Sequence, residues 1–179
     1  RPKVEAVRTA AEVIKDVVSK TPLQYHQTAS QKHGASIYLK REDLQLVRSY
    51  KIRGAFNKIN SLSREEQHNG VVCASAGNHA QGVAFSCHKL QIPGTIFMPV
   101  PTPNQKVEQV KMFGGDYINI ELIGDTFDEA YKAAKDFSEQ QQQTFVHPFD
   151  DEKVIEGQGT IGLEVLEQSD TPIDYVFVP

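Results

Sequence analysis

A lysine at the first position of a helix is an unusual choice, because the exposed N–H groups there carry partial positive charge and favour acidic side chains. Lys51 takes that place in SYKIRGAFNKI, residues 49–59, and Arg53 adds a second positive charge two residues on. Both features favour a neutral, nucleophilic amine of the kind that condenses with an aldehyde. The ordinary alternative is a lysine held in water.

A second stretch, CASAGNHAQG at 73–82, runs from a strand into a helix through small residues. Small residues let the backbone N–H groups of Ser75 to His79 come close to an anion. Asn78 brings an amide that can donate to a phenolate-type oxygen, and Ser75 a hydroxyl. The competing account is a tight turn capped by Ser75 and Asn78. Joined to Lys51, the anion cradle and the amide suit an aldehyde cofactor held as a Schiff base.

Other candidates carry less. GQGTIG at 157–162 matches G-x-G-x-x-G, but the residues before it are charged and helix-like. A dinucleotide fingerprint needs a buried strand there, so the glycines read as close helix packing. His26, His33 and His68 lie in polar segments and read as solvated. His79, Cys87 and His88 lack the spacing of ligands on one helix face, and no metal site is expected. His79 sits in the 75–79 turn, as a cap or surface group or in contact with substrate.

The elements that must position these groups follow from periodicity. The chain has 179 residues, is 39% hydrophobic and carries a net charge of −4, with no basic stripe. That argues against a nucleic-acid partner. No apolar run reaches the ~18 residues of a membrane span. Cys73 and Cys87 stand in apolar surroundings, as in a reduced, cytoplasmic protein. Val7, Ala10, Ala11, Ile14 and Val18 make one face of a first helix. ASIYLKRED reads as a strand, and IRGAFNKINSL as a helix ending before Asn69-Gly70. GVVCAS, GTIFMPV, DYINIE and TFVHP then alternate as strands with helices at HAQGVAFSCHKL, NQKVEQVKMFG and TFDEAYKAAKDFSEQQ. Thr126 and Glu129 have capping-box spacing. EKVIEGQGTIGLEVLEQ is a last helix and DYVFVP, 174–179, a buried strand. The fold class is α/β, with parallel sheets flanked by helices. Because the chain opens on Arg1 and stops where that strand ends, it is expected to be part of a longer protein, truncated after residue 179.

Taken together, these stretches resemble a known family. SYKIRGA is similar to the pyridoxal-phosphate attachment segment of the tryptophan-synthase-β-like (fold type II) enzymes. SAGNHAQG resembles the substrate-carboxylate and cofactor-ring loop of the threonine dehydratases. TPL at 21–23, YLKRED at 38–43, FMP at 97–99, VHPFDD at 146–151 and GQGTIGLE at 157–164 extend the likeness, in order, over nearly the whole chain. The resemblance implies that Lys51 anchors pyridoxal 5′-phosphate and that Asn78 hydrogen-bonds the cofactor's 3′-oxygen. Ser75, Gly77, Asn78 and His79 would cradle the substrate carboxylate, and Tyr50 would lie beside the ring. The family's glycine-rich phosphate loop has no counterpart before residue 179. Ala76 stands where serine racemases carry a serine acid/base, and VRS before Tyr50 is nearer the biosynthetic threonine dehydratases than the catabolic ones.

The activity so implied is deamination of L-threonine to 2-oxobutanoate and ammonia, the first step toward isoleucine. In that family residues 1–49 and 151–179 would belong to a large domain, incomplete here, and 50–150 to a small α/β domain. The partner would be a small amino acid, and the assembly a homo-oligomer, tetramer or dimer, with allosteric control. The rivals are a serine or broad hydroxy-amino-acid dehydratase and, from another class, a non-catalytic binding module on the same scaffold.

Overall fold

The first helix, α1 (Val4–Ile14), buries Ala10 and Ile14 on the face that its spacing marks out. It appears in a computed structural model that describes residues 2–178. Two short strands follow, β1 (Leu23–Tyr25) and β2 (Tyr38–Lys40), paired antiparallel around α2 (Gln27–His33). A 3-10 turn at Glu42–Leu44 leads to α3 (Lys51–Asn60), and α4 (Arg64–Asn69) comes next. The single helix expected before Asn69-Gly70 is thus two. Ser63 and Glu66 close a capping box that restarts the chain as α4,.

Alternation then builds the sheet: β3 (Val71–Ala74), α5 (Asn78–Leu90), β4 (Gly94–Met98), α6 (Asn104–Gly114), β5 (Ile118–Leu122), α7 (Phe127–Gln140) and β6 (Thr144–Phe145). All four strands run parallel in the order β5-β4-β3-β6. Strand β3 is buried on both faces and sorts its side chains by the two-residue period of a strand. Val71 and Cys73 join Ile96, Met98, Ile59, Val83 and Cys87 in one cluster. Val72 and Ala74 join Phe97 and Ala134 in another, with Phe137 and Phe145 packed against it. Thr126 caps α7 through the expected box.

The strand order fixes where a ligand can sit. The chain adds β4 and β5 on one side of β3, then returns to lay β6 on the other side. The loops leaving β3 and β6 therefore diverge, and a crevice opens at their carboxyl ends, the usual binding place in such sheets.

Helix α3 is held between α5 and α8 (Glu152–Gln168) by glycines. A Cβ on Gly82 would stand 3.0 Å from the Lys51 carbonyl carbon and oxygen. A Cβ on Gly157 would lie 2.6 Å from the Arg53 carbonyl oxygen and 2.7 Å from the Cα of Gly54. GQGTIG is therefore mid-helix, and its first glycine lets α8 touch the backbone of α3.

The strand expected over DYVFVP does not form. Its last residue lies outside the described residues, and 172–178 are neither helix nor strand. Phe177 is 91% exposed, and Tyr175, Val176 and Val178 are exposed with it. A strand needs a neighbour to take its N–H and C=O groups, and no described strand pairs with this segment.

Candidate active site

Lys51 opens α3 behind Tyr50, which supplies no side-chain cap. Ile52, Gly54 and Ala55 are buried and fix the helix start. The half-buried lysine reaches the switch point, where Nζ donates to the Pro148 carbonyl at 2.9 Å. It also lies 5.1 Å from the centre of the Tyr50 ring, within cation–π range.

Arg53 does not serve Lys51 as the sequence suggested. Its side chain is 0% exposed and ion-paired with Glu42 at 2.8 Å and Glu164 at 2.7 Å, with Thr160 Oγ1 at 3.0 Å. Two carboxylates answer its charge, so Arg53 ties α3 to α8 and to the turn after β2. Burial works against its charge, but its hydrogen bonds to Glu42 and Glu164 win, and the guanidinium is held protonated more firmly than usual. Burial likewise opposes the charge of Glu164, yet bonds from Arg53 and Lys40 keep its carboxyl below the ordinary range.

The 75–79 turn faces the same crevice. The Ser75 N–H continues the sheet to the Phe97 carbonyl at 3.0 Å, and Ser75 Oγ accepts the Gly77 N–H at 3.1 Å. Those two donors are engaged within the fold. Asn78 and His79 offer the first N–H groups of α5, where the helix dipole favours an anion, and Ala76 adds its own from the turn just before the cap,. The Asn78 side chain is exposed.

His79 is neither surface group nor cap. It is 3% exposed, and its Nε2 bonds the Val146 carbonyl at 2.9 Å. A carbonyl only accepts, so Nε2 carries the proton, and the buried Nδ1 has no partner among the described residues. Burial foremost brings its pKa down from 6.5 to about 4; the Val146 bond is the main opposing effect, and Lys51 and His147 add smaller downward pushes. The sign follows from proton binding. Between those two values the unfolded chain takes up a proton that the folded chain refuses, so stability is full above 6.5 and is lost as pH falls toward 4,. The loss amounts to roughly 3 kcal/mol once complete. Urea unfolding of the full-length protein at pH 7 and pH 4.5 measures it. His79→Gln, whose amide can still donate to Val146, flattens that interval; an unchanged slope would assign the acid sensitivity elsewhere.

The loop after β6 completes the site and was not foreseen. His147 Nδ1 accepts the Phe149 N–H at 3.3 Å and the Asp150 N–H at 2.8 Å. Asp151 then caps α8 through Val154 and pairs with Lys58 at 2.8 Å. Pro148, between these anchors, presents its carbonyl to Lys51. A backbone acceptor has no residue type to betray it, although VHPFDD held the sequence signal of a turn leading to a helix cap.

Of the residues singled out from the sequence, Lys51, Tyr50, Ser75, Gly77, Asn78 and His79 are carried by α3 and the β3–α5 turn. Chemically the crevice offers one amine, one exposed amide and a set of unengaged backbone N–H groups.

Residues 14–179 match the family model described as pyridoxal-phosphate dependent enzyme. The biosynthetic L-threonine dehydratase of Halalkalibacterium halodurans is 56% identical over 98% of this chain and 42% of that protein. The Bacillus subtilis protein of the same name is 54% identical over the same shares. Among solved structures, the processed form of threonine deaminase isoform 2 from Solanum lycopersicum superposes with a TM-score of 0.85 at 42% identity, covering 95% of this chain and 47% of that one. Maize serine racemase superposes at 0.86 and 34% identity, over 93% and 50%. The chain thus spans about two fifths of the length of the curated relatives it matches.

Proposed function

Since the chain belongs to the pyridoxal-phosphate dependent enzyme family, we propose that it is the Lys51-bearing part of a threonine dehydratase that converts L-threonine to 2-oxobutanoate and ammonia. The observation that carries this reading is the meeting of the Lys51 amine with the loop after β6 at the switch point, beside the 75–79 turn.

The donor set fits a pyridoxal-type cofactor: a reachable amine on a fixed helix start, an exposed amide on Asn78, and N–H groups where a carboxylate can bind. When bound, pyridoxal phosphate supplies the aldehyde that holds the substrate amine and a ring that takes up the electrons left at Cα. Lys51, as the neutral amine, removes the α-proton. The N–H groups of Ala76, Asn78 and His79, in the turn shaped by Ser75 and Gly77, hold the carboxylate and so orient the Cα–H bond. The Asn78 amide would hydrogen-bond the cofactor's 3′-oxygen, and Tyr50 flanks the lysine,. Over the whole reaction one water is lost across Cα–Cβ and one is taken up as ammonia leaves.

The same reading assigns 50–150 to a small α/β domain and 1–49 with 151–179 to a larger one; in its support, all four parallel strands fall between 71 and 145. It extends to an allosteric, homo-oligomeric enzyme, a tetramer or dimer, of the cytoplasm. Two buried free thiols agree with a reducing compartment,. No described helix is long and apolar enough to cross a membrane.

Borohydride reduction of the full-length protein, followed by peptide mass mapping, tests the anchor. A phosphopyridoxyl mass on the peptide holding Lys51, with threonine turned over faster than serine, is the expected result. An unmodified Lys51 in cofactor-supplied protein would leave the scaffold as a binding module.

A further inference from the structure

Two histidines border the loop that receives Lys51, and they border it differently. His79 fixes the loop's first carbonyl, at Val146, from α5. His147 sits in the loop itself and accepts two successive backbone N–H groups on one nitrogen. Accepting requires a lone pair, so Nδ1 is unprotonated, and the proton of the neutral ring is on Nε2. A protonated Nδ1 would point its own N–H at two others. That contact is repulsive, and both backbone donors would then need water.

We propose that His147 is a positioning residue for the reaction: as a neutral imidazole it closes the 147–150 turn that presents the Pro148 carbonyl to the Lys51 amine, and its protonation opens that turn. The role rests on Lys51 being the cofactor anchor. Pro148 lies between His147 and both N–H groups that His147 accepts, so its carbonyl cannot hold its direction once they are released. The Lys51 amine would lose its 2.9 Å acceptor and with it the fixed approach that proton abstraction needs.

The surroundings keep the ring neutral at ordinary pH without removing it from titration. The ring packs edge-on to Phe149 at 4.6 Å, Tyr131 of α7 at 6.1 Å and Phe145 of β6 at 6.3 Å. Partial burial lowers the pKa of His147 first. Lys135 of α7 lowers it further, and Asp150 and Asp151 in its own loop oppose them. His79 of α5, Lys51 of α3 and Lys58 of α3, paired with Asp151, also face the loop. His79 titrates near 4, and comparing wild type with a non-titrating residue at 147 isolates the part that belongs to His147.

The test compares full-length wild type with His147→Asn and His147→Phe. An asparagine amide oxygen can accept the same two N–H groups and does not titrate in this range. Phenylalanine keeps the aromatic packing and has no acceptor. Hydrogen–deuterium exchange of the peptide spanning 147–152, corrected for intrinsic pH effects, reads the turn directly. In wild type its protection falls about tenfold from pH 7.5 to pH 5, in His147→Asn it holds within about twofold, and in His147→Phe it is low at both. For threonine turnover, His147→Phe lowers kcat about tenfold with KM nearly unchanged, because the carboxylate donors lie on the other loop. His147→Asn keeps wild-type kcat at pH 8 and moves the acid limb of its profile to lower pH. The same pH-dependent loss of protection in His147→Asn as in wild type would overturn the proposal, even if His147→Phe failed to fold. A missing phosphopyridoxyl mass on Lys51 would instead overturn the reading beneath it, so the two failures are told apart.

Discussion

Lys51→Ala in the full-length protein reduces threonine deamination by at least about a thousandfold, and borohydride reduction then leaves no phosphopyridoxyl mass on that peptide. The amine has two tasks in the proposed reaction, anchoring the cofactor and moving the α-proton. Loss of a positioned base alone costs roughly 10²–10⁴-fold. Alanine leaves little else disturbed. The side chain is half-buried, and its one hydrogen bond among the described residues goes to the Pro148 carbonyl. Alanine is also the best helix former, so the start of α3 is not weakened. The urea midpoint should therefore move by no more than about 1 kcal/mol, which separates lost chemistry from lost fold. Lys51→Arg is equally inactive, because a guanidinium stays protonated and forms no Schiff base. Turnover within tenfold of wild type in Lys51→Ala would remove Lys51 from the reaction.

What the sequence disclosed, and what it hid, divides by the kind of interaction. Strands β3 and β4 were legible as continuous buried runs, and α6 and α7 as helices that bury residues three or four apart. The Thr126 box was legible because both partners are side chains three residues apart. Helix α2 was missed: QTASQKH has no apolar stripe, and it is held at its ends, by His26 Nδ1 accepting the Ala29 N–H and by Gly34 in the left-handed region. The Ser63 box had the same spacing signal as Thr126 and was masked by a helical pattern read across it. DYVFVP had the composition of a strand, but pairing is a property of two segments and composition describes one. At the site, Lys51, Ser75 and Asn78 stood out by residue type. The Pro148 carbonyl and the turn closed by His147 did not, since any residue supplies a carbonyl and a histidine seldom advertises itself as a turn cap. Arg53 was noticed for its charge and given the wrong neighbour, because carboxylates at 42 and 164 reach it only through the tertiary fold.

Arg53→Met is expected to destabilise the full-length protein by about 3–5 kcal/mol, the usual cost of removing one partner from a buried ion pair. Methionine fills much of the space, so the loss is chiefly electrostatic. Glu42 keeps Thr21 Oγ1 at 2.6 Å, and Glu164 keeps Lys40 at 2.5 Å, but both lose the guanidinium that spans them. Stability against pH tells this apart from a cavity. In wild type the Glu164 carboxyl is held below its ordinary value of 4.5, so its contribution is present above that pH and lost as pH falls through the lowered value,. In Arg53→Met burial loses its strongest opponent, the carboxyl rises, and protonation on acidification relieves the variant. The gap between the two urea midpoints therefore narrows from pH 7.5 to pH 5, whereas a cavity would keep it constant. Adding Glu42→Gln and Glu164→Gln to Arg53→Met should restore part of the loss at pH 7.5, because neutral amides leave no charge unanswered. The consequence reaches the chemistry through two residues of helix. Arg53 is bonded to α8 and to the Glu42 turn, and Lys51 stands at the start of the same helix with Gly82 of α5 against its carbonyl. A looser α3 displaces the amine, and small displacements of a reacting group are costly. Turnover by Arg53→Met should accordingly fall about tenfold even at temperatures where the variant remains folded, with the amine still present and no longer held in place.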